Sequence, residues 1–268
     1  MIYNHYPMGM CIDAHPLFSG GKRLSVVVKE NETIEDLQLK GLKLIQSKDD
    51  FRFGMDSVLL AHFADIRPDD TVADLGTGNG VLIFLLYGRN KGKKYYAIDI
   101  QQKAAELARR NAELNHLDDQ ITVINTNAHD ASEYIRICSV DAVVCNPPYG
   151  QPSASLASPY ESKAVARNQN KDTLDQFLTG AFKILKGKGS LYLVYPAAQM
   201  LYLMRCLQDH HLEPKRFQLV YPFLHKAANL VLIEATKDAR PTLHPMPPLV
   251  IYQDDCSLTN ELKSVYHI

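Results

Sequence analysis

The chain is predicted to fold as an α/β protein: a mostly parallel sheet of seven strands, helices on both faces, and one antiparallel strand. Three observations predict it. From Thr71 onward, short apolar runs alternate with segments of helical periodicity, and a glycine-rich turn joins the first such run to the first such helix. The last two apolar runs, Arg216–Tyr221 and Leu230–Ala235, lie too close together to hold a helix between them. Repeated strand–helix–strand units imply a parallel sheet, because each crossover lays a helix on a face. A closing hairpin instead turns one strand antiparallel near an edge.

The elements follow in order. Residues 1–36 read as an N-terminal extension of flexible composition: Met1–Val28 carries Tyr, Met, Gly and Pro with a Gly20-Gly21 break, and Lys29–Asp36 resembles the polar start of a protein. Leu37, Leu39, Leu42 and Leu44 sit within an alternating stretch to Gln46 that predicts short strands. Asp56–Ile66 has helical spacing and stops before Pro68. Strands are expected at Thr71–Leu75, Tyr95–Ile100, Ile121–Asn125, Val140–Cys145 and Ser190–Tyr195. Helices are expected at Gly80–Tyr87, Gln102–Asn115, Asp172–Leu185 and Ala197–His210, with a helical turn at Ser132–Ile137. Residues 37–240 form the main domain on this reading. Residues 241–268 begin Pro-rich and read as a linker with a short tail.

Composition excludes several classes. With 268 residues, 46% hydrophobic and 22% charged, the chain can bury a full core and lacks the signature of wholesale disorder. No apolar run reaches the ~18–20 residues that span a bilayer, and the start lacks the pattern of a secretory leader. Five widely spaced cysteines without a C-x-x-C pair argue against a disulfide framework or zinc site, and a reducing cytoplasm is expected. The ten histidines show no metal spacing, so no metal is expected. Net charge is −1, yet Tyr160–Arg240 holds 12 Lys and Arg against 7 Asp and Glu. A moderately basic C-terminal half fits a phosphate-facing surface, and ordinary solvated lysines explain it equally well.

Three motifs carry the chemistry. Asp74-Leu75-Gly76-Thr77-Gly78-Asn79-Gly80 joins a strand to a helix. Glycines there permit a sharp turn and close approach of a ligand. The spacing G-x-G-x-G departs from the dinucleotide fingerprint, and the leading Asp74 would repel a pyrophosphate. It suits a cofactor with a cationic centre and an ammonium group. Asp99, with Ile100 beside it, ends the second strand, where a carboxylate accepts from both hydroxyls of a ribose. That device serves nicotinamide enzymes and methyltransferases alike.

The third motif is Asn146-Pro147-Pro148-Tyr149, directly after Val140–Cys145. An exocyclic amine on adenine is a poor nucleophile because its lone pair is delocalised into the ring. The Asn146 side-chain oxygen and the Pro147 carbonyl form a pair of acceptors for both N–H groups, which would turn the nitrogen lone pair towards a methyl sulfonium. Consecutive prolines hold that carbonyl in place. Tyr149 offers a flat face to an extruded base.

In these motifs the chain resembles the class I methyltransferases with an N-P-P-Y signature and a Rossmann-like sheet. More narrowly it is similar to the tRNA1(Val) adenine-N6 methyltransferases, from about Asp36 to the C-terminus. Gln46 followed by Phe51-Arg52-Phe53-Gly54-Met55-Asp56 resembles that family's segment against the methionine end of the cofactor. Asn127-Ala128-His129-Asp130 is similar to the motif whose Asp binds the cofactor adenine, and Pro247-Pro248-Leu249 begins a similar ending. The resemblance implies S-adenosylmethionine as cofactor, bound by Phe53, Gly54, Asp56, Asp74, Gly76, Gly78, Gly80, Asp99, Ile100, Asp130 and Asn146. It implies Asn146, Pro147, Pro148 and Tyr149 as catalytic, Tyr149 and Arg167 facing the substrate, and tRNA as partner, with the adenine beside the anticodon as target. One departure stands out: where relatives carry Ala-Arg-His-Glu, this chain has Ala166-Arg167-Asn168-Gln169.

Rival readings share the lone-pair problem. A protein glutamine N5-methyltransferase also uses N-P-P-Y but carries a helical N-terminal domain, which this strand-like start does not resemble. An rRNA amino-group methyltransferase fits the same motifs, and a DNA adenine methyltransferase would need a larger target-recognition region. A non-catalytic RNA-binding module would have no use for an oriented pair of acceptors.

Overall fold

A computed structural model describes residues 26–48, 54–147 and 173–266. Four of the residues singled out above, Phe53, Pro148, Tyr149 and Arg167, lie outside them, as do residues 1–25.

The chain enters through a hairpin, β1 (Glu32–Asp36) against β2 (Lys43–Ser47), with Ile34 opposite Ile45. This corrects the expected strand over Leu37–Gln46, because the middle of that stretch is the turn. The Asp36 carboxylate accepts the Gln38 amide at 2.7 Å, and Gln38, Lys40 and Gly41 all take positive φ. Leu37 and Leu39 are turn residues that lean onto the core, while Leu42 and Leu44 are fully buried. Short helix α1 (Met55–Phe63) follows.

Next come β3 (Thr71–Leu75), α2 (Val81–Gly88), β4 (Lys94–Asp99), α3 (Gln102–Leu114), β5 (Ile121–Asn125), a 3-10 turn (Ala128–Glu133) and β6 (Val140–Cys145). The 3-10 turn starts four residues before the expected Ser132, since Asn127 caps it by accepting the His129 amide at 3.0 Å. Helix α4, described over residues 173–184, runs straight into β7 (Leu185–Pro196). Then come a 3-10 turn (Ala197–Gln199), α5 (Met200–Asp209), β8 (Leu212–Phe223) and β9 (Leu230–Lys237). Three strands outrun expectation, because pairing on both sides recruits polar flanks such as Lys186 and Glu213 that apolar patterning does not mark.

The seven expected strands lie in the order β8-β9-β7-β6-β3-β4-β5, all parallel except β9, which is antiparallel to both neighbours. The tail is part of this sheet. Short β10 (His244–Pro245) and β11 (Leu249–Tyr252) pair parallel with β8, and α6 (Asn260–Tyr266) folds back with Leu262 and Val265 buried. Prolines 245, 247 and 248 are tolerated because they sit on the outer edge, where no further strand needs their missing N–H.

Alternation along each strand divides the core between two faces. Val72, Ala142 and Val144 join the side covered by α1, α2 and α6, while Ala73, Leu75, Val143 and Cys145 join the side covered by α4 and α5. Helix α2 is apolar around nearly its whole circumference because sheet, α1 and hairpin enclose it. Among the described residues no helix is long and apolar enough to cross a membrane.

Candidate active site

The chain leaves β3 towards β4 on one side and returns from β5 to β6 on the other. A crevice therefore opens beyond the carboxyl ends of β3 and β6, the usual ligand position in such sheets. Leu75 is paired with Cys145, so Gly76 and Asn146 leave the sheet as lateral neighbours, about one strand spacing (~4.8 Å) apart.

On the β3 side the glycine turn is tied to β4: the Gly76 and Thr77 amides both donate to the Ile98 carbonyl, at 2.8 and 2.9 Å. Gly78 has φ +57, and a side chain there would meet nothing within 4 Å. That open backbone is the surface a ligand can touch directly. Its amide donates to Asp99 Oδ2 at 2.8 Å, and the Gln101 amide donates to Asp99 Oδ1 at 2.9 Å. The Asp99 carboxylate is thus held rigidly at the strand tip with lone pairs remaining on both oxygens. Ile100 next to it is 65% exposed, an apolar surface beside a polar one.

Asp74 is 2% exposed and accepts the Thr77 hydroxyl at 2.7 Å. Burial pushes its carboxyl up to about 7, the Thr77 hydrogen bond opposes this, and the Asp99 charge adds to the rise. A buried carboxylate with so little compensation favours a cationic ligand. Burial, and secondarily the Asp74 charge, also raise the Cys145 thiol, which stays neutral beneath the site. Asp56, in the first turn of α1 behind Gly54, is likewise raised by burial. Asp130 lies in the 3-10 turn after β5, with Oδ1 2.8 Å from His129 Nδ1.

Two groups escaped the sequence reading. Asn111 is fully buried on α3: its Oδ1 accepts the Ile45 amide at 2.7 Å, and its Nδ2 donates to the carbonyls of Ile45 at 3.1 Å and Asn79 at 2.9 Å. One turn later Asn115 treats Lys43 the same way, at 2.8 and 2.7 Å. The helix so presents two amides as a substitute strand edge, and Asn111 locks hairpin and glycine turn together. The available signal is an asparagine on the buried stripe of Ala105, Ala108 and Ala112, since a polar group there must be satisfied. Gln46 is the second. It is 2% exposed, and neither polar atom of its side chain has a hydrogen-bond partner. An orphaned buried amide is a common mark of a missing ligand or water.

These features fit S-adenosylmethionine: an enclosed carboxylate for its cationic end, open glycine backbone, a fixed carboxylate for its ribose and an exposed aliphatic for its base. Together with a parallel sheet interrupted by one reversed strand, they define the class I S-adenosylmethionine-dependent methyltransferases. The chain belongs to the methyltransferase small domain family, whose model matches residues 36–211.

Among curated relatives, the tRNA1(Val) (adenine(37)-N6)-methyltransferase of Parabacteroides distasonis is 30% identical over 208 residues, covering 76% of this chain and 85% of its own length. The protein of the same name from Porphyromonas gingivalis is 29% identical over 189 residues, covering 68% and 73%. Among solved structures, a predicted O-methyltransferase from Agrobacterium tumefaciens superposes with a TM-score of 0.65 at 21% identity, covering 80% of this chain and 96% of the other. At that identity the likeness speaks for the fold alone.

Proposed function

We propose that the chain methylates the exocyclic N6 of an adenine in tRNA, beside the anticodon, in the cytoplasm. One observation carries the reading: the Asn146-Pro147 turn ends β6 immediately beside the glycine turn that ends β3. An acceptor pair and a cofactor cradle on adjacent strands form an arrangement for aligning an amine with a methyl donor. The bound cofactor supplies an electrophilic methyl carbon.

The chain's own residues supply binding and alignment. Asp74 neutralises the cationic end, Asp99 accepts from the ribose hydroxyls, Ile100 and Asp130 face the adenine, and Gly54 and Asp56 border the methionine end. Asn146 Oδ1 and the Pro147 carbonyl accept the two N–H groups and so direct the nitrogen lone pair away from the ring. Neither group is basic, so the proton released from N6 passes to water. Tyr149 stacks on the target base and Arg167 meets a phosphate. The relatives named for adenine-37 of tRNA1(Val) support the choice of substrate. Against a glutamine target, the described segment ahead of the site is a hairpin and one nine-residue helix instead of a helical domain.

The test is incubation of the purified chain and tritiated S-adenosylmethionine with tRNA from a strain lacking the gene, with ribosomal RNA, and with peptide release factor. Label recovered as N6-methyladenosine from tRNA is expected. Label in release factor, with tRNA unlabelled, overturns the proposal.

A further inference from the structure

Because β8 and β11 run parallel to β6, their carboxyl ends open on the same edge of the sheet as Asn146. Three rings gather there. Phe223, the last residue of β8, lies 5.4 Å from Tyr252 at 34° and 5.6 Å from His225 at 31°, a row of tilted, offset faces. Leu224 beside them is 75% exposed, and Tyr252 and Leu224 line an open pocket of ≈ 500 Å³. The His225 side chain is 60% exposed, and its Nδ1 is 3.5 Å from Asp254 Oδ1, whose side chain is 92% exposed. Lys226 follows, also exposed.

Exposed near-parallel rings are costly to leave in water and are suited to stacking on a planar ligand. Position identifies the ligand. β8 is three strands from β6, or about 14 Å at ~4.8 Å per strand. That is about four stacked nucleotides at ~3.4 Å each, fewer if splayed. A strand whose target base sits at Asn146 therefore reaches these rings within a few nucleotides. Asp254, the neighbouring Asp255 and Gln253 rim the pocket with acceptors, which repel phosphate but bind amino groups of bases. Lys226 is the adjacent phosphate contact.

We infer that the Phe223–His225–Tyr252 row and its carboxylate rim form a second base pocket, which takes an unpaired, amino-bearing base of the same RNA a few nucleotides from the target. The inference rests on the RNA-methylating reading above. It gives the enzyme a second point of attachment that fixes the register of the strand without touching the chemistry.

The probes are an unmodified tRNA transcript and the same transcript with 4-thiouridine in the anticodon loop. In a Phe223→Leu/His225→Ala variant, KM for the transcript should rise about 5–50-fold, the range set by losing base stacking. The cofactor Kd should be unchanged. His225→Ala alone, at an exposed position, should shift KM in the same direction. Photocrosslinks should map to peptides containing residues 223–226 or 252–254. If the wild type methylates the transcript yet neither variant moves KM, or crosslinks avoid both peptides, this pocket is wrong and the activity stands. If the wild type labels no RNA, the activity and the pocket fall together.

Discussion

The two sides of the crevice handle polar groups in opposite ways. On the β3–β4 side the functional groups are buried and their backbone neighbours are tied down. Asp99 holds two amides, Asp74 one hydroxyl, and Asn111 three backbone groups from two separate segments. On the β8–β11 side the rings, the Asp254 carboxylate and Lys226 are exposed. A small charged cofactor gains most from an enclosed site that needs no reorganisation. A polymer gains from open contacts spread along an edge, each modest and replaceable. The contrast separates a rigid receptor from a docking ledge.

The comparison can be broken at several points. Asn146→Ala, at the boundary, should lower kcat by about 10²–10³-fold, the scale for losing a positioned hydrogen-bonding group, and leave the cofactor Kd within a few-fold. Equal losses in both would assign Asn146 to the cofactor side. Asn111→Ala strands the Ile45 amide and carbonyl and the Asn79 carbonyl, and should cost ~2–4 kcal/mol of stability in urea unfolding. Asn115→Ala, closer to solvent, should cost under ~1 kcal/mol, and similar costs would refute a special role for the buried member. Asp99→Ala should raise the cofactor Kd about 10–100-fold by calorimetry, with kcat at saturating cofactor nearly intact.

The smallest expected effect is a pH dependence. Asp74 titrates near 7 folded against 3.8 when unperturbed, so between these values the folded chain binds more protons than the unfolded one. Cofactor-free stability should then fall as pH rises from about 4 to about 7 and level off above. Asp74→Asn should abolish that fall. A cationic ligand favours the ionised carboxylate, so binding should tighten over the same interval with release of a proton, read as a buffer-dependent calorimetric enthalpy. A flat profile in the wild type would place the titration elsewhere.

Much of this was legible from residue pattern. Ile121–Asn125 and Val140–Cys145 match the expected strands residue for residue, because apolar runs bounded by turn residues have few other ways to be satisfied. The glycine turn, Asp74, Asp99 and Asn146 were found because each motif combines a special backbone with a polar side chain. Asn111 was passed over because an asparagine on a helix usually faces water, and only its distant partners at residues 45 and 79 reveal otherwise. Gln46 was named only through resemblance, and its burial without a partner is a fact of packing.

Local order thus determined the succession of strands and helices, the reversed closing strand and the chemical kind of each motif, since periodicity and turn chemistry act over a few neighbouring residues. Only the tertiary structure decided that residues 244–252 extend the sheet, that Asn111 binds a hairpin 66 positions earlier in the chain, and that three rings share an edge with Asn146. Those outcomes depend on strand register and burial, which are set by contacts between segments far apart in sequence and leave no periodic trace within either.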